Sequence, residues 1–381
     1  MLKTRVLPVL ALIPLLLTAC GPKRKSAGLM DDPRTHTERG KQYYDRGELD
    51  RADQEFTLAL ELDKKYAPAL AGQSMVLASQ RMYDKAIDKA DEAIVRSDKL
   101  PDGWMAKGWA ISLKNRGSKD EDWVDDAERM FSKALDRDQK SGETWYRLGM
   151  SRQWGLKFRD AGDAFRKVLE INGAYTTLAD EAWARIQKIE RAAPGTRVGK
   201  KIALVDSITR ADAAALFIAE LELDRILART RGAQADTGFK APPVATVDTV
   251  KVVTSVVAKD IDGHWARNFI EDAVGLGIRG LQVYPDRTFH PGDALTRAEF
   301  AFLAEDALIA ALGDKKIATK YIGSSSRFSD VAGGSPYYNA ICNAVDKNIM
   351  DGNADGSFGA VKPVSGAEAL LTIRLIKELR K

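Results

Sequence analysis

Cysteine and histidine are scarce in this 381-residue chain: Cys20 and Cys342 are the only cysteines, and His36, His264 and His290 the only histidines. The histidines stand in unrelated contexts, and no H-E-x-x-H, Walker-type or G-x-S-x-G pattern occurs. Those are the spacings that a zinc protease, a nucleotide site or a serine hydrolase needs. An excess of one charge is missing too. Lys and Arg number 58 against 54 Asp and Glu, with no long single-sign block, so a nucleic-acid footprint has no support. The apolar run from Val6 to Leu17 is too short to span a bilayer. No catalytic group, metal or cofactor is expected.

One segment looks like an exception. Residues 351–359 read DGNADGSFG, with Asp351, Asn353 and Asp355 at alternate positions and Gly356 behind them. A calcium loop of the EF-hand type begins this way. Its twelfth position should be a bidentate Glu but is Lys362, and its ninth, Gly359, has no side-chain ligand. Gly352 and Gly356 read instead as turn residues, and Phe358 as an apolar anchor.

The N-terminus has Lys3 and Arg5 ahead of the apolar run, then Leu17-Thr18-Ala19-Cys20. A short, positively flanked apolar stretch is an export signal. The four residues resemble a bacterial lipobox; the other reading is a plain signal peptide with a chance cysteine. The resemblance implies a signal over 1–19, lipid acylation of Cys20 and a tether over 20–32. Gly21, where the family's inner-membrane proteins carry Asp, leans toward the outer membrane, facing the periplasm. Cys342 then has no partner within the mature chain and is expected to pack as a small apolar side chain.

Repetition organises the rest. Ala52, Ala86, Ala127 and Ala161 form one series, and Phe56, Ala90, Phe131 and Phe165 another. Each advances by 34, 41 and 34 residues, the middle step carrying a seven-residue insertion near Asn115–Asp122. Small residues let paired helices approach, and an aromatic fills the gap to the next pair. YYDRGELDRADQEFTLALELD (43–63) and WYRLGMSRQWGLKFRDAGDAFRKVLEIN (145–172) resemble the tetratricopeptide repeat. Four repeats are expected over 33–175. In that family the first helices line a concave groove. Its positions carry over to Tyr44, Met75, Met105, Trp109, Tyr146, Met150 and Gln153, a surface for a protein partner. Packing between repeats is the competing reading for Met105 and Trp109.

A second repetition closes the chain. Ile270, Ala273 and Ile278 recur 71 positions later as Ile341, Ala344 and Ile349; Phe289 matches Phe358, and Glu299 matches Glu368. With Trp265-Ala266 and Thr296-Arg297-Ala298-Glu299, these copies resemble the S-layer homology domain. The second departs from it, with Pro336 opposite Trp265 and Ser365-Gly366 opposite Thr296-Arg297. Thr209-Arg210-Ala211-Asp212 and Trp183-Ala184-Arg185 point to a degenerate first copy over 176–232, unless Trp183 belongs only to a helix capping the repeat array. Clear copies follow at 259–315 and 328–381, with linkers at 233–258 and 316–327. The expected fold is mainly α: a helical-hairpin solenoid, then a helical module around a pseudo-threefold axis. The 177–192 helix is expected to adjoin the Thr209 helix.

Thr209 and Thr296 suit N-caps, with Asp212 and Glu299 completing capping boxes. Arg210 and Arg297 stand where a helix dipole disfavours a cation, so they read as ligand-binding. The resemblance implies that this Arg holds an acidic wall glycan, with Trp265 offering its face to a sugar and Thr296 and Glu299 supporting the site. Pairing of Arg297 with a carboxylate such as Asp293 is the alternative. The chain thus reads as an envelope lipoprotein scaffold. Its module would bind peptidoglycan or a wall-linked glycan and its array a protein. The rival reading is an assembly or pilot factor for a secretion or pilus machine.

Overall fold

A computed structural model of the chain describes residues 26–28, 30–118, 120–227 and 258–380. The expected signal peptide, Cys20, part of the tether and almost all of the 233–258 linker lie outside the described residues. Among the described residues the secondary structure is helical. Two isolated antiparallel bridges, Thr209 with Ala294 and Thr296 with Pro363, are the only β pairing there. The chain divides into two compact units, Met1–Lys140 and Ser141–Lys381.

The N-terminal unit is a run of helical hairpins. Its helices are α1 (Pro33–Asp45), α2 (Leu49–Leu62), α3 (Ala67–Ser79), α4 (Tyr83–Arg96), α5 (Pro101–Asn115) and α6 (Trp123–Leu135). Proline stands in the first turn of α1, α3 and α5, where its missing N–H costs nothing. The α5–α6 loop holds the predicted insertion. Phe56 shows how the hairpins stack. A methyl on Gly40 or Gly72 would lie 2.6 or 2.3 Å from its ring, so only glycine lets α1 and α3 close on it. Gly149 and Phe165 repeat the pairing in the fourth hairpin.

His36 ties the entry segment to this unit. Its ring nitrogens lie 2.6 Å from Glu55 Oε2 and 2.8 Å from Asp31 Oδ1, all within the α1–α2 packing. Burial pulls the imidazole pKa down. The hydrogen bonds and charges of Glu55 and Asp31 outweigh it, so the net shift is upward from 6.5. A raised pKa contributes stability that is fully present below the ordinary histidine value and is lost as pH rises through the shifted one. The melting temperature of the N-terminal unit should therefore fall from pH 6 to pH 9, and His36→Gln should flatten that slope. An equally steep profile in the variant would contradict the assignment.

The C-terminal unit begins with α7 (Gly142–Trp154) and α8 (Phe158–Ile171), the fourth hairpin, followed by α9 (Thr176–Ala192) and the short α10 (Arg197–Ile202). Next come α11 (Arg210–Ala215), which runs on as a π-helical turn over Leu216–Glu220, α12 (Arg267–Leu276), α13 (Arg297–Leu312), α14 (Tyr338–Asp346) and α15 (Gly366–Leu379). The fourth hairpin thus groups with this unit, because α8 packs on α9 and α9 on α15.

Three loops join at the centre. Ile208 N–H donates to the Val364 carbonyl (3.0 Å), Val364 N–H to Leu295 (3.1 Å), and Leu295 N–H back to Ile208 (2.9 Å), closing a ring. All three residues are buried. A second tier runs round the same three segments in the opposite sense: Arg210 N–H donates to Asp293, Arg297 N–H to Lys362, and Gly366 N–H to Val205. The helices follow the same cycle. Helix α12 packs on α11 and its π turn, α14 on α13, and α9 on α15. The main neighbours of α9 are therefore α8 and α15, not the Thr209 helix that the sequence reading named. In a closed cycle the partner of the first helix comes from the far end of the chain.

Gly366, opposite Arg297 in the repeat, closes the cycle. A methyl there would lie 1.6 Å from the Ile202 carbonyl oxygen. Gly366→Ala is expected to destabilise the C-terminal unit by about 1–3 kcal/mol, the usual cost of overpacking. Denaturant unfolding checks it, and an unchanged midpoint would refute the close fit.

Candidate functional site

The glycine loops at 280–289 and 352–358 are each held by one acid and one cation. Asp260 accepts from the backbone N–H groups of Phe289 (2.8 Å) and His290 (2.7 Å). Asp330 does the same for Phe358, Gly359 and Ala360. Burial pushes both carboxyls up, but these N–H donors outweigh it and hold them below the usual range. The loop carbonyls point the other way. Arg210 donates through Nε to Phe289 O (2.8 Å), through one terminal nitrogen to Gly280 O and through the other to Gln282 O (3.1 Å). Arg297 donates to Phe358 O (3.1 Å) and Asp351 O (2.6 Å) and pairs with Glu368. Each guanidinium also lies over the anchoring ring, at 4.7 Å from Phe289 and 4.6 Å from Phe358. Burial draws both arginine pKa values down.

Both arginines, expected to hold a glycan, are bonded to the loop of the next repeat. Arg210 is 6% exposed and spends three N–H donors on loop carbonyls; the Arg297 side chain is 13% exposed and divides its donors between two loop carbonyls and Glu368. A cation at a helix start is compensated here by carbonyl dipoles of the next loop, a non-local partner that local helix logic misses. The carboxylate paired with Arg297 is Glu368, not Asp293. Both capping boxes form: Thr209 with Asp212, and Thr296 with Glu299. Asp355 and Asn353, the calcium-like residues, turn inward to Ser357.

Two grooves open beside these arginines. The first, about 390 Å³, lies between α11, the Gly280 loop and α13; Arg210, Tyr284, Asp293, Glu299, Phe302 and Tyr337 are among its walls. Tyr337 meets Phe302 edge-on at 5.9 Å, and Tyr284 meets His290 at 5.1 Å. Burial pushes the Tyr337 hydroxyl up. The second groove, about 480 Å³, lies beside Arg297 and Glu368. A larger cavity of about 610 Å³ adjoins the serine-rich loop at 324–326, but its charges are spent: Arg279 pairs with Glu305, which also accepts from Asn339 and Asn343.

Trp265 is brought to neither groove. It is 56% exposed and packs edge-on against Phe269, 6.3 Å away. The aromatic faces beside Arg210 are Tyr284, Phe302 and Tyr337, which the sequence reading did not name as ligands. The residues expected to form a protein groove are also redistributed. Met75, Met105 and Trp109 are buried among the helices of the N-terminal unit, where Trp109 Nε1 donates to Tyr44 Oη at 3.0 Å. This favours the packing role for all three, since large apolar side chains here meet helices rather than solvent. Tyr146 lies against Phe165 and Tyr175, Met150 is half-buried, and Gln153 is buried.

Known proteins match part of this chain. Residues 259–301 and 327–370 match the S-layer homology domain family, so the chain carries two S-layer homology domains. A cellulosome-anchoring protein of Acetivibrio thermocellus is 44% identical over 50 residues, which are 13% of this chain and 11% of that protein. A thermophilic TPR protein from Thermus thermophilus aligns with 53% of this chain and 98% of its own, at 18% identity and a TM-score of 0.37. S-layer homology domains associate proteins with the cell envelope and are binding rather than catalytic modules. No helix among the described residues is long and apolar enough to cross a membrane.

Arg210→Met is expected to strip the donors from three loop carbonyls. Phe289 is the buried one of these three residues, and at about 1–3 kcal/mol for a buried acceptor left unsatisfied the C-terminal unit should lose about that much. Trp265→Ala, at an exposed position, should stay within about 0.5 kcal/mol. Urea unfolding compares them, and equal stability of the two variants would contradict a structural role for Arg210.

Proposed function

We propose that this chain, with S-layer homology domains at 259–301 and 327–370, fastens a helical-repeat scaffold to the cell wall by binding a wall glycan in its C-terminal unit. The observation that carries the reading is the 390 Å³ groove beside Arg210. Its volume falls within the range of small-ligand sites, on the order of 300–1,000 Å³. Tyr284, Phe302 and Tyr337 supply flat apolar faces for a sugar ring, and Asp293 and Glu299 supply acceptors for its hydroxyls. Arg210 and the Thr296–Glu299 capping box shape this groove.

The same reading keeps a degenerate first copy over 176–232, although α9 packs on α15 and not on the Thr209 helix that this copy was expected to require. The ring through Ile208, Leu295 and Val364 supports it, because each segment then holds the equivalent place in the cycle. Attachment to the outer membrane through acylated Cys20 and recruitment of a protein by the helical hairpins belong to the proposal as well. The hairpin architecture supports the second, since stacked helix pairs present extended binding surfaces. Bilayer and wall would then be bridged by one chain, without catalysis.

The test is co-sedimentation of the full chain with purified peptidoglycan sacculi. The chain should pellet with sacculi, and Tyr284→Ala with Tyr337→Ala should weaken binding roughly tenfold, as expected for two lost aromatic contacts. Their melting temperature should remain near that of the parent. Failure of the parent chain to pellet would overturn the proposal.

A further inference from the structure

The groove beside Arg297 differs in chemistry from the one beside Arg210. Both lie where a helix-start arginine meets a glycine loop and the second helix of that loop's repeat. The remaining wall of the Arg210 groove is aromatic, through Tyr337. In the Arg297 groove that wall is α9, which lies outside both matched domains and contributes Lys188 and Arg191. Three residues apart, these side chains share one face of the last turns of the helix.

Three cations and three carboxylates line this groove, but they are unevenly paired. Arg297 is paired with Glu368, and Arg374 with Glu378 at 2.9 Å. Lys188 and Arg191 form no ion pair or hydrogen bond among the described residues, and Asp351 is the one lining carboxylate without a cation. With Glu378 neutralised by Arg374 behind the wall, two unpaired cations face one unpaired carboxylate. Asn348 lines the same groove and brings an amide group for neutral polar atoms. At about 480 Å³ the groove has room for a sugar or peptide unit.

We propose that Lys188 and Arg191 of α9 form an anion-reading subsite that takes a carboxylate or phosphate of the wall polymer. The inference rests on the wall-binding reading and deepens it. Charge selection is moved from the arginines of the repeat motif, which are consumed by the fold, to a helix that connects the hairpins to the bundle. The two grooves divide the work: aromatic faces hold a neutral ring, and α9 sets the preference for an acidic polymer. The charged tips lie at the mouth of an open groove, so the contribution is screened by salt.

The test measures sedimentation of the full chain with sacculi at low salt for four proteins. These are the parent, Lys188→Glu with Arg191→Glu, the neutral pair Lys188→Gln with Arg191→Gln, and Lys85→Glu with Lys99→Glu as a charge-matched control on the N-terminal unit. The Glu pair should bind roughly tenfold more weakly, the Gln pair should be intermediate, and the control should match the parent. All four should melt alike. Sacculi with carboxylates converted to amides by carbodiimide and ethanolamine, or with phosphates removed by hydrofluoric acid, identify the source. The parent should lose its advantage over the Glu pair on one of the two. If the parent binds while the Glu pair binds equally well, or the control falls as far as the Glu pair, the subsite is overturned and the wall-binding reading stands. If the parent fails to bind any sacculi, both are overturned.

Discussion

The C-terminal unit depends on the ring of three backbone hydrogen bonds through Ile208, Leu295 and Val364. These groups are buried, and an unpaired buried amide or carbonyl costs as much as a lost hydrogen bond. Each of the three segments can satisfy its backbone only by accepting from one neighbour and donating to the other. The closure is therefore collective, and removing one segment leaves two others unsatisfied. The helix-start residues close the same cycle in the opposite sense, each meeting the next segment, and the helices pack between the same neighbours.

The arginines extend that logic outward. A glycine loop has N–H groups on one side and carbonyls on the other, and both need partners. Asp260 and Asp330 take the N–H side from within the same repeat. Arg210 and Arg297 take the carbonyl side from the preceding one. Where the third arginine would stand, Gly366 lies directly against Ile202, and the loop closes by contact instead. The grooves are the spaces left beside the two arginine joints. Their walls carry what variety there is, aromatic beside Arg210 and cationic beside Arg297.

Much of the architecture was legible because packing repeats leave periodic marks. The 34-residue spacing located hairpins whose Phe56 and Phe165 sit against glycines as the pattern requires, and Phe289 with Phe358 marked equivalent loops. The site was less legible for a specific reason. An arginine at a helix start looks unsupported locally, and its acceptors lie 70 or more residues away for Arg210. Trp265 drew attention by its type, whereas Tyr284 and Tyr337 reach the groove through loop geometry that no local pattern records. Asp260 and Asp330 were missed, although a signal existed: an aspartate 29 and 28 residues before the anchoring phenylalanine in each copy. Met75 and Met105 are buried, and the side chains that suit an adaptable groove also suit a helix interface.

The central claim is that the wall is held by the grooves of the C-terminal unit while the hairpins of the N-terminal unit stay free for another partner. Hydrogen-exchange mass spectrometry of the full chain, with and without soluble fragments of digested sacculi, tests it most directly. The account predicts slowed exchange in the loops around Gly280–Phe289 and Asn348–Asn353 and in the last turns of α9, with α1 to α6 unchanged. Protection confined to α1 to α6, or none anywhere despite binding of the fragments, would contradict it.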